Sequence, residues 1–189
     1  MTSAHAGNGL SSADWATLAC VAERPAHGFA VASRLAPDGD LGRVVTVSRS
    51  LTYRSITRLL DRTLVEVVGE ERGRNGLTRT IYAATIEGRT VLGQWLGEAV
   101  EPADEVRTDL LLKVVILDVL GLDGSELLAR QREVLTREVA TLERVADPDD
   151  PVWVWRVEST RAWLRFVERV DSSTAVGSDS DHDGAADRS

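Results

Sequence analysis

The 189-residue chain contains no run of about 18 apolar residues, so a membrane-spanning helix is not expected. Residues Met1 to Gly9 carry neither a basic segment nor an apolar stretch, and no secretory leader is expected there. One cysteine cannot form an internal disulfide, and Cys20, set among Ala19, Val21 and Ala22, reads as a small buried hydrophobe. These absences together give the expectation of a soluble, cytoplasmic protein. Catalytic groups are equally sparse. The three histidines are scattered at positions 5, 27 and 182, and there is neither a glycine-rich phosphate loop nor a helix of the HExxH type. No enzyme activity, metal or cofactor is therefore expected. Asp179, Asp181, Asp183 and Gly184 match the first half of a calcium loop, but the required bidentate Glu would fall one position beyond Ser189, so the segment reads as a solvated acidic tail.

Positive charge is also in short supply: 22 basic against 30 acidic residues give a net charge of -8 and an isoelectric point near 4.9. That balance argues against a nucleic-acid binder only if it is uniform. It is not. Residues 1 to 97 hold eleven arginines against nine acids, a net +2, which leaves -10 for the remainder. Between Leu41 and Arg62 stand five arginines and a single acid, enough for a locally positive field on an acidic protein.

What is present is 43% hydrophobic residues in mostly helical periodicity. Ser11 or Ser12 with Asp14 caps a first helix in which Trp15, Leu18, Ala19 and Ala22 recur up to Glu23. Pro25 ends it, His27 to Leu35 predicts a short second helix, and Pro37-Asp38-Gly39-Asp40 forces a turn. Ser48 caps a third helix to Arg62 with Leu51, Ile56, Leu59 and Leu60 inward and arginines on another face. Leu64 to Glu70 and Arg79 to Ala83 are extended runs around Gly73-Arg74-Asn75-Gly76, which predicts a hairpin with Arg72, Arg74 and Arg79 near its tip. Thr85 caps a fourth helix to about Gly97, and Val106–Leu120, Ser125–Ala146 and Val152–Val170 predict three more. In the sixth, Leu128, Leu135 and Leu142 repeat every seven residues with Val139 filling in, the pattern of a coiled-coil seam.

The expected fold class is thus mainly α with a small β-hairpin wing: a winged helix-turn-helix followed by a C-terminal helical dimerisation arm. The expected organisation is a flexible tail over 1–9, the winged domain over 10–97, a helical dimerisation and effector region over 98–171, and a disordered acidic tail over 172–189. In a winged helix-turn-helix the third helix enters the major groove, about 12 Å wide, and the wing touches adjacent backbone or minor groove. This nominates Ser48, Arg49, Ser50, Thr52, Tyr53, Arg54 and Arg58, with Arg72, Arg74 and Arg79 of the hairpin, as contacts to double-stranded DNA.

Three segments resemble the PadR family of regulators. Pro25-Ala26-His27-Gly28-Phe29 is similar to that family's link between the first two helices. Val47-Ser48, Tyr53, Leu59 and Leu64-Val65 are similar to its recognition helix, and Arg79, Tyr82, Thr85, Glu87, Gly88 and Arg89 to its exit from the wing. The segments come in family order over about residues 12 to 97. A weaker resemblance, through Val106–Leu117 with Arg107, Asp109 and Lys113 and then Trp153–Val170, reaches the helical arm of the family's longer members. Two positions depart from the pattern: Thr63 stands where the family usually has Gly, and since a β-branched residue disfavours positive φ a different turn is expected there, while Arg49 stands near a position often small or Pro, which would shift the start of the third helix. The resemblance implies a homodimer on an inverted repeat and, in many members, repression relieved by a small molecule.

The dimer is expected to use Leu128, Leu135, Val139, Leu142 and Trp163, and Trp15, Trp95, Trp153 and Trp155 are candidates for an effector pocket. Two other classes compete. A protein-interaction module would use the same fold without binding DNA, and a winged-helix regulator of the multiple-antibiotic-resistance type would place a dimerisation helix before the winged domain, where only nine residues stand.

Overall fold

The computed structural model describes residues 9–72, 78–101, 106–145 and 147–178. Contacts divide the chain into two compact units, residues 1–97 with 105–123 and residues 98–104 with 124–189. The first unit contains α1 (Ser12–Glu23), β1 (Ala26–His27), α2 (Gly28–Arg34), α3 (Arg49–Asp61), β2 (Val65–Arg72), β3 (Thr78–Ala84), α4 (Ile86–Gly97) and α5 (Val106–Leu120). The second contains α6 (Ser125–Val145) and α7 (Pro151–Ser178).

Helix α1 starts in a reciprocal capping box. The Ser11 hydroxyl accepts from the Asp14 backbone N–H at 3.3 Å and Asp14 Oδ2 accepts from the Ser11 N–H at 2.9 Å. Every residue from Ala13 to Ala22 is buried. A helix apolar on all sides belongs at the centre of a core, and α1 accordingly touches α2, α3, α4, α5 and β3. Cys20 lies in this helix, and burial pushes its thiol up to about 12, which makes it a packing residue and not a nucleophile.

The turn after α2 folds back on the helix. Arg34 bridges Asp40 and Glu23, and the Arg34 guanidinium holds the Asp40 carboxyl below its usual range. Gly42 is required here, because a Cβ at this position would lie 1.6 Å from the Ala36 carbonyl oxygen. The chain then enters α3 through Ser48, whose hydroxyl accepts from the Leu51 N–H at 3.3 Å.

The sheet is antiparallel in the order β1-β3-β2. Val65 pairs with Ala84 and Arg72 with Thr78, with a register shift between Val67 and Gly69. β1 pairs Ala26 with Tyr82 and His27 with Ile81. The sequence reading assigned these two residues to a loop and a helix start, since a two-residue strand shows no alternation.

Thr63, between α3 and β2, has φ 58. This left-handed conformation costs a β-branched residue about 1–2 kcal/mol, here offset in part because its carbonyl accepts from the Thr85 hydroxyl at 2.8 Å. Thr63→Gly relieves the strain and keeps that carbonyl. We expect it to stabilise the unit by about 0.5–1 kcal/mol, seen as a higher thermal midpoint; an unchanged or lower midpoint would refute the strain.

Pro102 before α5 suggests that this helix belongs with the C-terminal arm. Its contacts place it in the first unit: Asp109 accepts from the Ser12 hydroxyl at 3.0 Å, Leu110, Leu112 and Ile116 are fully buried, and the buried Lys113 ammonium lies 4.8 Å from the centre of the Trp95 ring. It ends at Gly121, φ 62, where the Leu122 N–H returns to the Leu117 carbonyl.

In the second unit α6 and α7 pack antiparallel. Glu143 pairs with Arg161 at 2.6 Å and Arg132 with Asp171 at 3.5 Å, so one helix ascends as the other descends. Gln131 is fully buried and satisfies both backbone groups of Val100, at 2.7 and 2.9 Å. Leu128, Leu135 and Leu142, read from the sequence as a seam between two chains, are buried within the single chain. A heptad specifies a helical partner without saying which helix supplies it, and here α7, starting at Pro151 soon after α6 ends at Val145, packs against α6 in the same chain. Helix α7 also runs past the expected start of the disordered tail: Ser172 is helical, its hydroxyl donating to the Glu168 carbonyl at 2.8 Å. The half calcium loop from Asp179 lies outside the described residues.

Candidate nucleic-acid interface

The α3 surface is divided by its 3.6-residue period. Thr52, Ser55, Ile56 and Leu59 face the core, while Ser50, Tyr53, Arg54, Thr57 and Asp61 form a continuous exposed stripe joined by Arg49 at its start. The N-cap Ser48 is also exposed, its hydroxyl 3.2 Å from that of Ser50.

Two of the residues expected to touch DNA are placed otherwise. Thr52 has no exposed surface and its hydroxyl donates to the Ser48 carbonyl at 3.2 Å, so it closes the first turn of α3 and reaches no external partner. Arg58 turns toward α1 and donates to Asp14 Oδ2 at 2.7 Å, although half of its side chain remains exposed. Asp14 is 1% exposed. Burial alone would raise its carboxyl, but the Ser11 backbone N–H, then the Ser55 and Ser11 hydroxyls and the Arg58 guanidinium, outweigh that cost and hold it below the ordinary carboxylate range.

Tyr53 is exposed but its ring packs on the start of α2. A Cβ added to Gly28 would sit 2.7 Å from Tyr53 Cε1, so the glycine lets the ring lie against the backbone. Next to it, the Arg49 guanidinium covers the Phe29 ring at 5.0 Å from its centre, and Phe29 is itself 49% exposed. The N-terminal ends of α2 and α3 therefore present one surface. Phe29 and Thr57 carry little signal in the sequence: the first fits an apolar position of α2, and the second has no charge to mark it.

On the wing, Arg72 and Arg79 are both exposed, on strands that pair Glu71 with Arg79. Arg74 lies outside the described residues. Among the described residues, no ion pair engages Arg49, Arg54, Arg72 or Arg79. Glu66, Glu70 and Glu71 of β2 are exposed too, so acidic groups interrupt the basic surface along this strand of the hairpin.

The tryptophans separate into different roles. Trp15 and Trp95 stack face to face, 4.6 Å between centres and 7° between planes, and each is almost fully buried in the first unit. In the second unit, Trp153 is covered by Arg156 at 5.2 Å, Trp155 is 62% exposed, and Trp163 meets Phe166 edge-on at 5.6 Å. A concavity of about 390 Å³ in the first unit is lined by none of the four tryptophans proposed for an effector.

Three helices, the third with an exposed stripe carrying arginines, and an antiparallel wing define the class: a winged helix-turn-helix. Among solved structures the chain is similar to Bacillus subtilis PadR in complex with operator DNA, at 17% identity over 85% of this chain and 97% of that one, with a TM-score of 0.44. It is also similar to the Vibrio cholerae virulence activator AphA, at 18% identity over 87% of this chain and 98% of that one, with a TM-score of 0.39. No family model and no curated protein matches it. Among the described residues no helix is long and apolar enough to cross a membrane.

Proposed function

We propose that this protein is a cytoplasmic, sequence-specific regulator of transcription of the PadR type that binds double-stranded DNA. The observation that carries the reading is the stripe Arg49, Ser50, Tyr53, Arg54 and Thr57, exposed and free of ion pairs among the described residues, on the helix that this architecture inserts into the major groove. A chain with net charge -8 that nevertheless leaves these arginines without an ion pair among the described residues has a local surface suited to phosphate and base edges.

In this reading the protein is a homodimeric repressor on an inverted-repeat operator, released by a small molecule. Because Leu128, Leu135 and Leu142 are already covered, a second copy would meet other surfaces of the second unit, such as the exposed Trp155 and the half-buried Val139 and Trp163. Fluorescence anisotropy of its own upstream DNA against a scrambled duplex, across a salt series, tests the reading. Preferential, salt-sensitive binding with two protomers per site is expected, and no binding to either duplex at low salt would leave the protein-interaction module. Arg54→Ala removes the central free cation and is expected to weaken binding roughly tenfold, within the range of about 1–3 kcal/mol for a base-reading arginine. An unaltered affinity would remove Arg54 from the interface.

A further inference from the structure

The concavity of about 390 Å³ lies beside the wing and is lined by Cys20, Arg24, His27, Phe29, Arg34 and Arg79, among others. Its polar groups are not equivalent. Arg34 is committed to Glu23 and Asp40, so it adds little net charge. Arg24 and Arg79 are exposed and make no ion pair among the described residues. His27 is the N-cap of α2: its Nδ1 accepts from the Ala30 backbone N–H at 3.0 Å.

That cap fixes the ring. With the Nδ1 lone pair used as acceptor, the neutral imidazole carries its proton on Nε2 and can only donate there. Yet the atom 3.3 Å from His27 Nε2 is Arg79 Nη1, and a guanidinium has no acceptor. Two donors face each other with no acceptor between them, at the rim of an open concavity with a second free arginine. The contact is exposed, so an acceptor from outside, water or a bound oxyanion, can complete both groups at once.

We propose that His27, Arg79 and Arg24 form an oxyanion site that takes one phosphate group through the His27 Nε2–H and the two guanidinium groups. Resting on the DNA-binding reading, the phosphate belongs to the duplex backbone next to the wing; a free phosphate-bearing molecule offers the same chemistry. The site fixes position without reading sequence, since every phosphate is alike.

Two measurements on the full chain test this and separate the sources. First, inorganic phosphate is titrated into the free protein at constant ionic strength while the His27 Nε2 resonance is followed. A saturable shift in the wild type, lost in Arg79→Gln and reduced in Arg24→Gln, is expected. Both arginines are exposed, so these variants spare the core, and a circular dichroism spectrum checks that they fold. Second, the salt dependence of duplex binding is compared. Losing one phosphate contact should lower the slope of log K against log salt by about 0.9 in Arg79→Gln, equally on native and scrambled duplexes. A saturable shift with a reduced slope supports the backbone phosphate. A shift with an unchanged slope, or with no duplex binding by the wild type, supports a site for a free phosphate-bearing ligand and counts only against the DNA reading. No phosphate-dependent shift and no change in slope would overturn the proposal.

Discussion

Trp15→Ala is expected to destabilise the first unit by about 3–5 kcal/mol, the usual cost of deleting a buried Trp. Trp15 is 2% exposed and stacks on Trp95, which is 3% exposed, so alanine would open a void bounded by an indole face that has lost its partner. The Lys113 ammonium sits 4.8 Å from the centre of the Trp95 ring, so the ring that fills the core also shelters a buried charge. For a unit of about 100 residues this loss corresponds to a fall in thermal midpoint of about 20 °C. Trp15→Phe keeps most of the volume and should cost clearly less, which leaves a folded variant to measure if the alanine variant does not fold. Equilibrium urea unfolding followed by circular dichroism reads both. A loss below about 1 kcal/mol for Trp15→Ala would remove Trp15 from the core and return it to the pocket-lining role considered from the sequence.

The elements that rest on local rules were legible before the structure. Ser11 with Asp14, Ser48 and Thr85 are caps, and the caps stand where their residue types require. The paired wing strands followed from β-rich runs around a glycine turn. What the sequence could not show are relations between elements. α1 is buried on every side, so its 3.6-residue pattern carried no warning that Asp14 would also be enclosed. Arg58 looks like Arg54 in the sequence, four residues apart and on neighbouring faces, yet one meets Asp14 across the helix pair and the other meets solvent. The heptad in α6 marks a face that is buried within the single chain, and its spacing could not say what lies opposite, because periodicity names a face and not the surface opposite. Thr63 ran against expectation: a β-branched residue in place of the usual glycine implies a different turn, yet the structure keeps the positive φ there.

The contrast between the two arginines leads to the second large effect. Arg58→Ala is expected to lower the stability of the first unit by about 2–3 kcal/mol. Breaking a buried pair commonly costs about 3–5 kcal/mol because the remaining charge is left enclosed, and the lower figure allows for the half-exposed guanidinium, whose field water already screens. Asp14 keeps its Ser11 partners in this variant, so the capping box survives and the unit folds. The pH dependence identifies the cause. The folded Asp14 carboxyl lies below its usual range, so the unfolded chain takes up this proton at a higher pH than the folded one. The stabilisation is therefore complete above the ordinary carboxylate range, beyond about pH 5, and drains away as pH falls through the lowered folded value. Wild type and Arg58→Ala should differ most in unfolding free energy near neutrality and converge in acid. In duplex binding measured well below the unfolding midpoint, Arg58→Ala should lose less affinity than Arg54→Ala. Equal stability at pH 7 combined with a large loss of binding would reverse the assignment and put Arg58 on the DNA.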